Sequence, residues 1–388
     1  MHHFVRWIEI DLDAIIHNYH QIRQLVSPSV KIMSVVKADA YGHGALEVAR
    51  ALAEAGTDMF AVTTIEEALE LTQGGITTPI LVFAPLLPCQ AELALDHGLV
   101  PTIDDLDALN ALALAAAKKK IRGCFHLKIE TGMGRTGVQG EELSQFLQKI
   151  KQTPQLKLAG VYSHFATAMM KDKSFTKKQL ARFLRAVDEI KQEMPHQVLA
   201  HIANSAALLD VPESHLDMVR PGTLLYGQYP SPHVGRSLDL LDPFQMKGKI
   251  VSVKKLAPGD SVGYGRDYIT KKNREIGIIP VGYADGFGVL PHTRPAKFYD
   301  LVKSTAKIAS QILGLIAPNY VIYDTARLPV VGRIGMQLSM VDITGKGIPL
   351  GATVQIPIRR TTAAGRITRI YFRDQKEISI REISAGPQ

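Results

Sequence analysis

The sequence has little cysteine: Cys89 and Cys124 are the two in 388 residues. That is too few for a disulfide framework or a zinc cluster, and a reducing cytoplasm is the expected setting. No apolar run reaches about 18 residues, so no membrane span is expected. The N-terminal MHHFVRWIEIDLD places acids where a signal peptide needs an apolar core, so no secretion signal is expected. Aromatic residues are also few, at 6%, and none interleaves the basic pairs and runs at Lys118 to Lys120, Lys177–Lys178, Lys254–Lys255, Lys271–Lys272 and Arg359–Arg360. The net charge of +8 and pI near 9.3 raise the question of nucleic acid. Scattered basic groups without stacking partners read instead as solvated helix faces and loop ends, so no nucleic-acid partner is expected. A modest positive field remains, suited to attracting a small anion.

What is present is an ordinary soluble composition, 46% hydrophobic and 21% charged, at a length that suits one large or two medium domains. Strand-like runs at 30–36, 58–62, 79–83, 98–102, 122–129, 157–163, 197–202 and 216–220 alternate with helical stretches near 44–55, 64–73, 89–96, 104–119, 140–152, 174–193 and 204–209. The 104–119 stretch is rich in Leu and Ala, strong helix formers, with Asp104 as the expected cap. This alternation predicts an α/β fold, a (β/α)8 TIM-type barrel, with an open doubly wound sheet as the alternative. After about residue 235 the texture becomes short β runs broken by Gly and Pro, predicting a mostly antiparallel C-terminal β domain. One interruption, 295–316, has helical composition. The expected division is 10–235 for the barrel, with 1–9 and 236–388 forming the β domain.

In such barrels chemistry sits at the C-terminal strand ends. Those ends supply Lys37 and Tyr41, Lys128 and Arg135, His164, Asn204 and Ser205, then Arg220, Gly222 and Thr223. Each alone has an ordinary alternative: a surface lysine, a hydrogen-bonded core histidine, a glycine turn in TGMGRTG, helix caps in NSA and RPGT. All of them would have to gather at one face by chance. A desolvated lysine among other cations loses its proton readily and attacks carbonyls. Its natural partner is an aldehyde cofactor such as pyridoxal 5'-phosphate (PLP). The ANS and RPGT segments and Tyr41 offer the N–H and hydroxyl groups a phosphate needs.

The segment VVKADAYGHG resembles the PLP-attachment segment of alanine racemases, which are barrel enzymes with a C-terminal β domain. WIEIDLDAIIHNY, HLKIETGMGRTG, YSHFATA, ANSAA, MVRPGTLLYG, VGYGRDY, PVGYADGF and VVGRIGMQLSMVDIT resemble further family segments in the same order. The resemblance implies a homodimeric, cytoplasmic isomerase that interconverts L- and D-alanine, a cell-wall precursor, by a two-base mechanism. Lys37 would anchor PLP and act as one base. Tyr264, the other base, would reach the neighbouring subunit's site in a head-to-tail pair. Arg220 would face the pyridine nitrogen with His164 behind it. Tyr41, Asn204, Ser205, Gly222 and Thr223 would surround the cofactor. Arg135, steadied by Lys128, and the backbone of Met336 would bind the substrate carboxylate. Lys128 is carbamylated in many family members.

Two features depart from the family pattern. Gly335, Met336 and Gln337 stand where a Cys-Met-Asp triplet is usual. A C-terminal segment carrying a phosphate-contacting tyrosine is missing, while a helical stretch near 291–320 is inserted. The alternatives are a racemase of broader specificity, a PLP barrel decarboxylase, and a PLP-binding protein without turnover.

Overall fold

The computed structural model describes residues 3–289, 302, 305, 306, 309, 310, 319–363 and 365–382. The expected helical insertion at 291–320 lies for the most part outside them. The chain forms two compact units, Leu12–Pro243, and Met1–Asp11 together with Phe244–Gln388.

After β1 (Arg6–Asp11), the larger unit supplies β2 (Lys31–Val35), β3 (Met59–Val62), β4 (Ile80–Pro85), β5 (Val100–Ile103), β6 (Gly123–Lys128), β7 (Leu156–Tyr162), β8 (Leu199–His201) and β9 (Met218–Val219). These eight strands form one parallel sheet in the order β8-β7-β6-β5-β4-β3-β2-β9. Its two ends meet at a single bridge between Asn204 and Arg220. Asp217 N–H donates to Ala200 O (3.1 Å) and Arg220 N–H to Ala203 O (2.9 Å) across that seam. The fold is therefore the expected barrel, closed at one seam by a bridge instead of a ladder.

Side chains alternate along a strand, so every second residue points inward. Met33, Val35, Met59, Ala61, Leu81, Val100, Tyr162 and Met218 make one buried apolar cluster. Two residues beyond Val35, Leu81, Tyr162 and Met218 come Lys37, Phe83, His164 and Arg220. The same alternation that fills the core thus delivers the polar groups to the barrel's C-terminal end.

The helix Leu106–Lys119 buries Ala108, Leu109, Leu112, Ala113, Ala115 and Ala116. Its cap is Asp105, one residue after the expected Asp104; the Asp105 carboxylate accepts from the N–H groups of Asp107 (2.9 Å) and Ala108 (3.0 Å). Asp104 is left to accept from Gly137 N–H at 2.8 Å, a contact with the loop after β6. Local propensity fixes the helix but does not choose between two adjacent aspartates.

In the other unit, β10 (Phe244–Lys249) pairs antiparallel with β1, and β1 pairs in parallel with Arg369–Arg373. These belong to a seven-stranded sheet. A three-stranded antiparallel sheet joins Ser252–Leu256, Arg274–Ile279 and Ser339–Asp342. Val262, Ile276 and Val331 form a small apolar core. Among the described residues no helix is long and apolar enough to cross a membrane, and no group of three or more His, Cys, Asp or Glu is placed to hold a metal.

Gly160 on β7 lies beside His126 of β6, and a Cβ there would sit 2.7 Å from the imidazole Nε2 and Cε1. Both strands are held in register, so neither side can give freely. Gly160→Ala should lower stability by about 1–3 kcal/mol, the usual cost of overpacking. The shift in urea midpoint relative to the parent measures it, and an unchanged midpoint would contradict the packing described.

Candidate active site

Lys37 follows β2, and the chain then makes an unusual turn. Ala38, Asp39, Ala40 and Tyr41 all have φ between 51° and 56°, with ψ from 31° to 53°. Four non-glycine residues in the left-handed region cost roughly 1–2 kcal/mol each, because Cβ crowds the following carbonyl. The contacts that hold this turn are specific. Glu67 Oε1 accepts from Ala38 N–H (2.6 Å), and its other oxygen from Thr63 N–H (2.7 Å). Asp39 Oδ1 accepts from Ala45 N–H (2.9 Å). Tyr226 donates to Val35 O (3.0 Å) and packs against Tyr41, ring centroids 4.9 Å apart. The turn brings Tyr41 into the same cavity as Lys37.

Two cavities meet at Lys37, Phe83 and His164. One, about 250 Å³, is also lined by Tyr41, Ser205, Arg220, Gly222 and Thr223. The other, about 290 Å³, is lined by Lys128, Arg135, Thr136 and Tyr162. In the first, Ser205 Oγ accepts from Gly222 N–H at 2.8 Å. Gly222 is needed there, since a Cβ would lie 2.5 Å from the Tyr41 hydroxyl oxygen. Thr223 Oγ1 is buried without a hydrogen-bond partner among the described residues. Asn204 lines the cavity while its side-chain oxygen caps Ser205–Asp210, accepting from Ala206 and Ala207 N–H at 3.1 Å each. Its structural and lining roles coexist.

Arg220 is 3% exposed and held on several sides. It donates through Nη2 to Ser163 O (2.7 Å) and Ile202 O (3.1 Å), and through Nη1 to His201 Nδ1 (2.8 Å). His164 Nδ1 is farther, 3.5 Å from Nη2. The group directly behind the guanidinium is therefore His201, with the expected His164 at the margin. His201 Nε2 lies 2.9 Å from His126 Nδ1. A guanidinium only donates, so His201 Nδ1 accepts and its proton sits on Nε2, directed at His126 Nδ1. Burial, then the Arg220 charge, pushes both imidazoles down, His126 to about 3, so both are neutral. Burial likewise lowers Arg220 to about 10, where it remains a cation at neutral pH.

Lys37 is shifted below the ordinary lysine value by burial and then by Arg135, with Glu67 opposing. Lys128 is brought down to about 8 by burial, Arg135 and Arg220. It donates to Thr136 Oγ1 and lies 5.5 Å above the Tyr162 ring, with Arg220 also over that ring at 5.4 Å. Burial pushes the Tyr41 phenol up to about 12. The barrel end thus holds two amines of lowered basicity beside two guanidinium groups, a positive setting suited to an anion.

The structure brings Lys37, Tyr41, Lys128, Arg135, His164, Asn204, Ser205, Arg220, Gly222 and Thr223 to these two cavities. Tyr264 and Met336 belong to the other unit, exposed by 76% and 60%. The expectations did not include His126, His201, Tyr162, Glu67 or Glu130. His126 was findable, because it shares the inward parity of Lys128 two residues on. Glu67 and Glu130 act on backbone amides and carry no side-chain signature.

Family comparisons decide what this constellation belongs to. The alanine racemase N-terminal domain matches residues 10–230, and the alanine racemase C-terminal domain matches 244–370. The chain belongs to the alanine racemase family. It is 38% identical over 351 residues to alanine racemase 2 of Caldanaerobacter subterraneus subsp. tengcongensis, covering 90% of this chain and 84% of that one. It is 34% identical over 385 residues to the alanine racemase of Clostridium tetani, covering 97% of each. Among solved structures, the alanine racemase of Clostridium difficile superposes with a TM-score of 0.87 at 30% identity, over 98% of this chain and 99% of that one. The Bacillus anthracis enzyme gives 0.84 at 28%, over 98% of each. Alanine racemases, as a family, are PLP-dependent isomerases.

The buried histidines make stability depend on acid. Below about pH 6.5 the unfolded chain protonates these imidazoles, whereas folded His126 resists until about 3. Stability should therefore fall as pH drops through that window, by up to about 1.4 kcal/mol per pH unit for each imidazole kept neutral. Urea midpoints at pH 7 and 5 measure the loss, and His126→Asn should make the dependence shallower. An identical slope in that variant would contradict a neutral buried His126.

Proposed function

We propose that Lys37 and Tyr264 are the two bases of this racemase, acting with PLP in the first cavity. The observation that carries the cofactor reading is the unpartnered buried Thr223 hydroxyl, set beside Ser205, Gly222 and Tyr41 in a cup that a single added methyl at Gly222 would obstruct. A phosphate would give Thr223 the acceptor it lacks. When bound, PLP supplies the aldehyde to which an amino acid's nitrogen is joined and the conjugation that weakens the Cα–H bond. Lys37 would anchor it, since its amine lines both cavities and loses its proton readily.

The other steps belong to the chain's own residues. Arg135, in the second cavity, would hold the substrate carboxylate as a guanidinium fork suited to two oxygens. Lys128 would steady it, and the Met336 backbone would add a contact. Arg220, a cation to about pH 10 and locked to His201 and two carbonyls, would offer the pyridine nitrogen a donor that does not part with its proton. With PLP bound, such a partner would leave the ring nitrogen without an added proton. Lys37 takes or returns the Cα proton on one face, and a phenol takes the other.

That phenol would come from a second copy. Tyr264 is 76% exposed, and the same unit presents Met336, Leu338 and Tyr283 at 50–60% exposure. Hydrogen bonds from Tyr283 N–H to Gly335 O and from Ala284 N–H to Met336 O, both 3.0 Å, knit their loops into one surface. Exposed apolar groups in the same unit as an exposed tyrosine suit a symmetric interface, in which each chain completes its partner's site.

Borohydride reduction should fix PLP to Lys37. Tyr264→Phe should keep the cofactor but slow racemisation about 10²–10⁴-fold, the usual contribution of a general base. Mixing Lys37→Ala with Tyr264→Phe chains should restore part of the activity, because one site of the hybrid has both bases. Absence of recovery, with subunit exchange demonstrated, would show that each site is built from a single chain.

A further inference from the structure

The loop that carries Arg135 is organised around one carboxylate. After β6 the chain leaves the barrel at Glu130 and returns at Val138. The base of this excursion is pinned by Ile129 N–H to Tyr162 O (2.8 Å), Glu130 N–H to Val138 O (2.9 Å) and Val138 N–H to Lys128 O (2.8 Å). Within it, the Glu130 carboxylate accepts from four consecutive backbone N–H groups. Gly132 and Met133 (2.6 Å) bond to Oε1, and Gly134 (2.9 Å) and Arg135 (3.3 Å) to Oε2. A carboxylate has about four lone-pair sites, so both oxygens are fully used. Four amide dipoles converging on one charge form a nest with the anion supplied by the chain itself.

The glycines make that convergence possible. Gly132 and Gly134 have φ of 128° and 66°, and a Cβ at Gly132 would sit 2.7 Å from the Phe175 ring. On the far side, Gly137 N–H is held by Asp104, and Thr136 receives the Lys128 hydrogen bond. Arg135 itself is exposed, so little packing holds it in place. Its backbone is fixed from one side by Glu130 and, two residues on, by Asp104.

We propose that Glu130 is the positioning residue for the substrate-carboxylate site, its charge presetting the Arg135 backbone so that the guanidinium meets the second cavity. This rests on the reading of Arg135 as the carboxylate ligand. Burial pushes the Glu130 carboxyl up, and the four amide bonds together overcome that and bring it below the ordinary carboxylate value. The charge is therefore present at neutral pH.

Glu130→Gln keeps the shape and removes the charge. It also turns an NH2 group toward two of the N–H donors. In the cofactor-loaded protein it should raise KM for alanine about ten-fold or more, the scale of one charge-assisted hydrogen bond, and change kcat no more than about three-fold. The calorimetric Kd for propionate, alanine without its amino group, should weaken in parallel. Glu130→Asp should recover most of both. A purely structural role would lower stability without separating KM from kcat and without moving propionate affinity. Arg135→Ala is the reference variant. If it weakens propionate and both Glu130 variants do not, the positioning role is wrong. If Arg135→Ala leaves propionate affinity unchanged, Arg135 is not the carboxylate ligand, and the proposal falls with that assignment.

Discussion

Four basic side chains share one barrel end, and much of the site follows from burying them together. Lys37, Lys128, Arg135 and Arg220 line the two adjoining cavities. Like charges at short range in a partly desolvated space favour neutral amines. Burial is the larger cause and the neighbouring guanidinium groups add to it: Lys128 falls to about 8, and Lys37 falls as well. The same field holds His164 well below its ordinary value, after burial has done most. The result is a pair of cavities lined by basic groups, two of them amines that hold their protons less tightly than usual. Positive potential and lowered amine basicity are two results of one arrangement.

Placing those groups so close requires a framework that cannot relax away. Arg220 sits on the barrel seam, where its backbone closes the sheet and its side chain is held by two carbonyls and a neutral histidine pair. Lys37 is followed by a left-handed turn that only a dense set of contacts would sustain. Two carboxylates outside the reacting groups, Glu67 and Glu130, hold backbone amides beside Lys37 and Arg135. Negative charge here fixes the frame from behind while positive charge faces the cavity.

How much of this could be read beforehand depends on the range of the interaction. The strands and their order were legible because barrel strands are local apolar runs and alternate with helices. Lys37 and Arg220 were legible because they stand where those runs end. The cap of Leu106–Lys119 was misplaced by one residue, since Asp104 and Asp105 are equivalent locally and only Gly137, far along the chain, separates them. His201 escaped notice behind Arg220 because the pairing spans two strands. The left-handed backbone of Ala38–Tyr41 has no side-chain signature, since alanine and tyrosine rarely adopt it. Glu130 reads as one more charge in a glycine-rich turn until its four amide partners are seen.

The central claim is that two different groups of the protein handle the two faces of Cα. Racemisation started from L-alanine in deuterium oxide, and stopped early, tests it most directly. Two solvent-exchanging bases predict D-alanine carrying deuterium at Cα, while the recovered L-alanine keeps most of its protium. D-alanine that carries the substrate's own protium would show one group transferring the same proton across both faces, and would contradict the account.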